Sequence, residues 1–256
     1  KLYVLYNQKQ NYAAEIVIKA CIRSFTKAQV EALPYNKANG IPGLSVLLEP
    51  EEEWLKDNLP QLKGKSLILG RPPRFLADYM GFVCHKEQII ENVTQQKGFR
   101  SSNLFVRYAR GTQTDELVKN LSLEKRYLSR CDHADGWNNH GYGAITLSQG
   151  SPYAISCHTG HSSDNSLAKI FNMQGDFVTE YACLKNEVDA SVLWFNRTVG
   201  TTDSLEWTVV ENFFANYRTE ELPCLPFLSE IPAGFTGAMT MRLDCDQAIS
   251  TARTLF

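Results

Sequence analysis

Short, continuous apolar runs separated by helical segments constrain the fold of this chain more than any other feature of its sequence. The runs LYVLY at 2–6, LSVLL at 44–48 and LILG at 67–70 are too short for helices and do not alternate with polar residues. Strands of a parallel sheet have this pattern because helices cover both faces of the sheet. Residues 1–125 are therefore predicted to form an α/β domain, a parallel sheet with flanking helices.

The segments between these runs have helical periodicity. Apolar residues recur at helical spacing from Asn11 to Leu33, and Pro34 is predicted to end this long helix. Further elements are predicted as helices over 51–59, 74–82 and 114–120, and as a strand over 103–108. Strand and helix thus alternate through the first half of the chain.

Residues 126–236 have a different pattern and are predicted to form a β-rich domain with one long helix. Short strands separated by turn signals are predicted over 143–148, 152–157, 168–173, 176–183 and 191–195. The helix is predicted over 203–217, with Asp203 as its N-cap and Glu206 three residues later. A last strand is predicted over 237–243.

Composition narrows the range of partners. Lys and Arg number 26 and Asp and Glu number 28, so the chain has no excess of basic residues and we expect no nucleic-acid partner. No apolar run approaches the ~20 residues of a membrane span, so no membrane span is expected. We recognise no signal peptide, and the chain begins at Lys1, which suggests a mature form or an excised fragment, cytoplasmic or exported. The seven cysteines contain no C-x-x-C pair, which disfavours a zinc ribbon or a redox dithiol.

Two carboxylates, Asp244 and Asp246, follow the last predicted strand. Ligands of α/β folds bind outside the carboxyl ends of strands, which makes this position a candidate site. One carboxylate of such a pair can hold a divalent metal, while the other takes a proton from a metal-bound water. The alternative interpretation is a strand end with two solvated acids, since acid-x-acid is a common pattern.

The stretch MTMRLDCDQAIS at 239–250 resembles the first motif of polysaccharide deacetylases of the NodB type. The resemblance implies that Asp244 is the catalytic general base and Asp246 a metal ligand, with zinc or a similar divalent metal as the cofactor of the full-length enzyme. The family also needs a downstream His-x-x-x-His motif, which is absent from the residues after Asp246. Residues 237–256 would then be the start of a truncated catalytic domain, and the fragment alone is expected to be inactive.

The same resemblance implies that the rest of the chain is an accessory region of such an enzyme. The α/β beginning is also similar in architecture to the flavodoxin-like and glutamine-amidotransferase-like domains that precede some deacetylases. Cys245 between the two acids, and the lack of a following glycine, depart from the usual Thr-Phe-Asp-Asp-Gly pattern.

A polar loop rich in histidine, asparagine and aromatic residues supplies a second candidate site. Aromatic faces stack on sugar rings and amides bind hydroxyl groups, so the loop is expected to contact a poly- or oligosaccharide. The candidate substrate-binding residues are His133, Asp135, Trp137, Asn138, Asn139, His140 and Tyr142.

Three functional hypotheses remain open at this point. The first is an accessory, carbohydrate-contacting region of a metal-dependent, deacetylase-like hydrolase. The second is a non-catalytic module that binds a glycan or a protein. The third is a self-contained metal hydrolase that uses the histidine cluster between His133 and His161, because imidazole and carboxylate groups suit zinc.

Overall fold

The structure is a computed structural model that describes residues 1–85, 93–96, 99–102, 104–111, 114–118, 126–127, 154–202 and 206–228, together with Phe235 and Met239. Its α-helices are α1 (Asn11–Phe25), α2 (Glu52–Asn58), α3 (Arg74–Met80), α4 (Asp115–Val118) and α5 (Trp207–Ala215). Its first eight strands are β1 (Leu2–Tyr6), β2 (Val30–Pro34), β3 (Leu44–Leu48), β4 (Gly64–Leu69), β5 (Cys84–His85), β6 (Val93–Gln96), β7 (Phe99–Ser102) and β8 (Leu104–Tyr108). The later strands are β9 (Arg126–Tyr127), β10 (His158–Thr159), β11 (Ser166–Asn172), β12 (Phe177–Asn186) and β13 (Ala190–Phe195). None of these described helices is long and apolar enough to cross a bilayer.

Nine of the described strands form one mixed sheet, in the order β2-β1-β3-β4-β13-β12-β11-β8-β9. The pairings from β2 to β13 in this order are parallel, and the pairings from β13 to β9 are antiparallel. This arrangement confirms the predicted α/β class, a parallel sheet followed by a β-rich part with a helix. The parallel pairing of β13 with β4 carries the sheet across the boundary predicted at residue 125. That boundary and the one at residue 236 lie outside the described residues, so the division into domains stays a prediction.

Helices cover both faces of the sheet, and successive strand residues alternate between the two faces. In β3, for example, Val46 and Leu48 pack on one face and Leu47 on the other. Helices α1 and α5 cover the first face, where the rings of Phe25 and Phe214 meet edge to face with centroids 5.9 Å apart. Helices α2 and α3 cover the second face. Burial on both faces explains why the central strands are continuously apolar in the sequence.

The long helix predicted over residues 11–33 is wrong in its second half. The helix ends at Phe25, and residues 30–34 form the edge strand β2. Thr26 takes a left-handed conformation with φ of 68°, which interrupts the helical path. Apolar residues that happen to continue the helical spacing here belong to a half-buried edge strand, where a terminal proline is tolerated.

Two details of the second half also differ from the sequence prediction. Of the strand predicted over 152–157, the described residues 154–157 contain a single bridge residue, Ile155, and the side chain of Asn196 binds the main chain of Ser156 and Cys157. Glu206 precedes α5 but makes no capping hydrogen bond; its carboxylate accepts hydrogen bonds from the hydroxyls of Tyr108 at 3.0 Å and Tyr181 at 3.5 Å. The strand predicted over 143–148, the cap at Asp203 and, apart from Met239, the strand predicted over 237–243 lie outside the described residues.

Candidate functional site

The strand order contains a reversal at β1. From β1 the chain crosses through α1 to β2 on one side, and β3 pairs with the other side of β1. The loops that follow these strands therefore diverge at the carboxyl edge of the sheet. Such a reversal opens a crevice outside the strand ends, which is where open α/β sheets bind ligands.

A cleft of about 340 Å³ lies at this reversal. We call it the switch-point cleft, and its lining residues either end β1 or β2 or come after β1, β2 or β3 in the chain. They are Tyr6, Asn7, Gln8, Pro34, Tyr35, Asn36, Glu51 and Trp54. Three strand ends thus contribute to one site, as the topological rule requires.

Two contacts organise the polar and aromatic walls of the switch-point cleft. The side-chain amide of Asn7 donates a hydrogen bond to Glu51 Oε1 at 3.1 Å. The rings of Tyr35 and Trp54 meet at a centroid distance of 4.8 Å and an interplanar angle of 61°. The Tyr35 hydroxyl donates to the carbonyl oxygen of Leu48 at 3.0 Å, which anchors the aromatic pair to the end of β3.

The surroundings of Tyr35 keep its hydroxyl protonated. Burial raises the pKa of Tyr35 well above its usual value, and the carboxylates of Glu49 and Glu51 raise it further. The hydroxyl therefore remains a hydrogen-bond donor at physiological pH. Among the residues that the structure describes, the lining of the cleft contains amides, aromatic rings and one carboxylate but no lysine or arginine, which suits a neutral polar ligand better than an anion.

A second cleft, of about 630 Å³, lies beside the first at the ends of β3 and β4. We call it the thiol cleft, because Cys84 forms part of its wall. Its other lining residues are Glu49, Pro50, Arg71, Pro72, Pro73, Arg74, Ala77, Asp78 and Val83. Unlike the switch-point cleft, it contains two arginines and a thiol.

Glu49 joins three strand ends at the thiol cleft. Its backbone is left-handed, with φ of 41°, and its carboxylate accepts a hydrogen bond from the hydroxyl of Thr198, which follows β13. Gly70 follows β4 with φ of 94°, and a Cβ at this position would lie 2.4 Å from Glu49 Cγ. Glycine is therefore required at residue 70 both for the backbone conformation and for the approach of the Glu49 side chain.

The site residues predicted from the sequence lie outside the described part of the chain. This holds for Asp244 and Asp246, and for the loop residues His133, Asp135, Trp137, Asn138, Asn139, His140 and Tyr142. Their catalytic, metal-binding and carbohydrate-binding roles therefore stay predictions.

Two histidines of the predicted cluster are described. His158 lies in β10 opposite His85 of β5, with ring centroids 5.8 Å apart, and His161 is exposed. Among the described residues, no group of three or more His, Cys, Asp or Glu side chains could hold a metal ion. The partner of His158 was not expected, because His85 is distant in sequence and carries no motif.

Sequence reasoning also missed the switch-point cleft. Its signal was available in Tyr6, which ends the first apolar run, and in Asn7 and Gln8, which directly follow it. The rule that sites lie at the carboxyl ends of strands applied to this first strand as well as to the last one. The contribution of Tyr35 could not be found, because the end of β2 was predicted to be the end of a helix.

Comparisons with known proteins find weak structural likenesses but no family match and no sequence match. No protein-family model matches the chain, and no curated protein sequence matches it. A putative ThuA-like protein from Parabacteroides merdae ATCC 43184 is similar in structure at 9% identity, with a TM-score of 0.47, over 91% of this chain and 93% of that chain. The carbohydrate deacetylase Agd3 is similar at 10% identity, with a TM-score of 0.38, over 81% of this chain. The chain spans 31% of the length of that deacetylase, and likenesses of this strength say nothing about activity.

Proposed function

We propose that this chain is a carbohydrate-contacting region and that the switch-point cleft binds a neutral sugar. One observation carries the proposal: an anchored aromatic pair, Tyr35 and Trp54, lies beside the hydrogen-bonded Asn7 and Glu51 at the topological reversal of the sheet. Aromatic rings offer the apolar face of a sugar a stacking surface, and amide and carboxylate groups match its hydroxyls.

The size and charge of the cleft support the same ligand class. A volume of about 340 Å³ falls at the small end of the ~300–1,000 Å³ range of small-molecule sites, which suits a mono- or disaccharide unit. The half-buried Trp54 is held at the cleft by Tyr35, so little side-chain freedom is lost when a ligand stacks on it. A single carboxylate can accept hydrogen bonds from two neighbouring hydroxyls.

In this proposal the chain serves an enzyme that removes acetyl groups from a polysaccharide. The support is the Asp244-Cys245-Asp246 motif, in which Asp244 would act as general base and Asp246 as a metal ligand. Residues 1–256 alone should not hydrolyse acetyl groups, because a catalytic zinc needs about three protein ligands and the motif assigns only one. Sugar binding by the switch-point cleft does not depend on that metal.

Calorimetric titration of the chain with sugars tests the proposal. The probes are oligomers of N-acetylglucosamine and of glucose, which share ring geometry and differ in the acetamido group. Trp54→Ala should weaken binding by about tenfold, since an aromatic stacking contact is worth about 0.5–1.5 kcal/mol beyond its area. Trp54→Phe should retain part of the affinity because it keeps a ring.

Tyr12→Ala is the matched control, since Tyr12 is an aromatic residue that is 66% exposed and does not line the cleft. It should bind sugar like the unsubstituted chain. Equal binding by the Trp54→Ala and Tyr12→Ala variants would refute the assignment of this cleft, and the absence of any heat with either oligomer would refute the ligand class.

A further inference from the structure

Two cysteines that are distant in sequence, Cys84 and Cys157, lie together at the wall of the thiol cleft. Antiparallel pairing of β5 with β10 places Cys84 opposite Thr159 and His85 opposite His158. Cys157 comes two residues before Thr159 and therefore lies diagonally across from Cys84, on the same side of the ladder. The Cys84 thiol donates to the main-chain oxygen of His85 at 3.4 Å, and the two thiols lie close enough together for each to shift the pKa of the other.

The two thiols differ in access. Cys84 is half-buried and lines the thiol cleft, whereas Cys157 is fully buried in the core under the sheet. The side chain of Asn196 fixes the main chain of Cys157, accepting from its N–H at 2.9 Å and donating to its carbonyl oxygen at 2.9 Å. A small solute in the cleft can therefore reach Cys84, and the second thiol stays fixed behind it.

The pKa shifts of the two thiols also indicate that Cys84 is the reactive thiolate. The nearby Cys157 thiol lowers the pKa of Cys84 against the opposing effect of burial, and the positive charge of Arg71 lowers it further. The nearby Cys84 thiol, together with burial, raises the pKa of Cys157 well above its usual value. Accessible, low-pKa cysteines that lie next to a second thiol are the ones that peroxides oxidise reversibly.

We propose that Cys84 is a peroxide-oxidised thiol and that Cys157 resolves it, so that the two form a reversible disulfide across the wall of the thiol cleft. The Cys84 thiolate attacks one oxygen of hydrogen peroxide, the O–O bond breaks, and Cys84 becomes a sulfenic acid while hydroxide leaves and takes a proton. The Cys157 sulfur then attacks the Cys84 sulfur, the S–O bond breaks, and a second water leaves. The two thiols lose two electrons, and peroxide is reduced to two waters.

Peroxide treatment of the intact chain, followed by alkylation under denaturing conditions and peptide mapping by mass spectrometry, tests the proposal. The expected product is a peptide pair joined through Cys84 and Cys157, with two of the seven thiols lost and both recovered on treatment with dithiothreitol. Cys21 is an internal reference, because burial raises its pKa to about 12. At pH 8 its thiolate fraction is about one in ten thousand, so Cys84 should be oxidised more than about a hundredfold faster.

Two variants separate the roles of the pair. Cys157→Ala should leave the sulfenic acid on Cys84 unresolved, where dimedone traps it as a stable adduct. Arg71→Ala should slow the oxidation of Cys84, and Arg71→Lys should restore the rate, because only the positive charge is required. The mapping of the unsubstituted chain stands by itself if the Cys157→Ala variant does not fold.

Several results would overturn the proposal. One is that Cys84 can still be alkylated after a peroxide dose that oxidises free cysteine in solution. Another is a disulfide that joins either residue to a different cysteine, such as the buried Cys183, which lies near enough to raise the pKa of Cys157. A third is oxidation of Cys84 to sulfinic acid without any linked peptide. The proposed sugar site is not involved in any of these measurements.

Discussion

Replacing Asn196 by alanine should be one of the most destabilising single changes in the described part of this chain. The side chain is fully buried directly after β13. Its Oδ1 accepts from the N–H of Ser156 at 3.1 Å, from the Ser156 hydroxyl at 2.9 Å and from the N–H of Cys157 at 2.9 Å. Its Nδ2 donates to the carbonyl oxygens of Cys157 at 2.9 Å and Glu180 at 2.8 Å.

The magnitude follows from the partners that would be left behind. Counting about 1 kcal/mol for each of the five hydrogen bonds overestimates the lost stability, because the three bonds to Oδ1 share one oxygen. The N–H of Ser156 also keeps a second partner, the carbonyl oxygen of residue 196 at 3.2 Å. We therefore expect the free energy of unfolding to fall by about 3–4 kcal/mol, a large part of the ~5–15 kcal/mol that stabilises a typical domain.

Urea denaturation followed by fluorescence and circular dichroism measures this loss, which should appear as a lower midpoint with an unchanged slope. Asn172→Ala is the matched control, because Asn172 makes two hydrogen bonds to Asp176 in an exposed turn. The control should lose less than about 1 kcal/mol, since water replaces the lost partners there. If the two variants lost the same free energy, the reasoning that burial makes the Asn196 contacts valuable would be wrong.

Three further changes test other parts of the structure. Burial lowers the pKa of Lys65, so between that lowered pKa and the usual 10.5 the unfolded chain binds a proton that the folded chain has released. The stability of the unsubstituted chain relative to Lys65→Met should therefore rise with pH over this range. A stability difference between the two proteins that does not change with pH would contradict this. Burial raises the pKa of Glu180, so between the usual 4.5 and the raised value the folded chain binds a proton that the unfolded chain has released. The stability of the unsubstituted chain relative to Glu180→Gln should therefore fall as pH rises through this range. Urea denaturation of the two proteins that shows no such trend would refute this expectation. Gly70→Ala should lower stability by at least about 2 kcal/mol through the collision with Glu49, and a midpoint within error of the unsubstituted chain would show that the loop can relax.

Much of the fold could be predicted from local patterns. The apolar runs that predicted β1, β3 and β4 are strands in the structure, because central strands of a parallel sheet need apolar residues on both faces. The helix that was predicted over 203–217 from its apolar face is present as α5, which is described from Trp207 to Ala215. The edge strand β2 was missed, since a half-buried strand has a weak pattern that resembled the end of α1.

The candidate sites depended on contacts that no local pattern encodes. Absence of a C-x-x-C pair argued against a redox dithiol, yet the pairing of β5 with β10 brings Cys84 and Cys157 together from positions that are distant in the sequence. The switch-point cleft likewise needs the ends of three strands, one of which was predicted as helix. The carbohydrate loop and the acidic pair at Asp244 and Asp246 remain predictions from sequence alone.

The sequence by itself determined that this chain forms a layered α/β structure, because hydrophobic periodicity is a local property and central strands that are buried on both faces are continuously apolar. It also determined the near-neutral net charge of −2, because charge is counted without reference to shape. Only the tertiary structure decided the order of the strands, the reversal at β1 and therefore the position of the cleft. Strand order is set by long-range pairing, whose free energy comes from contacts between residues that the sequence keeps far apart.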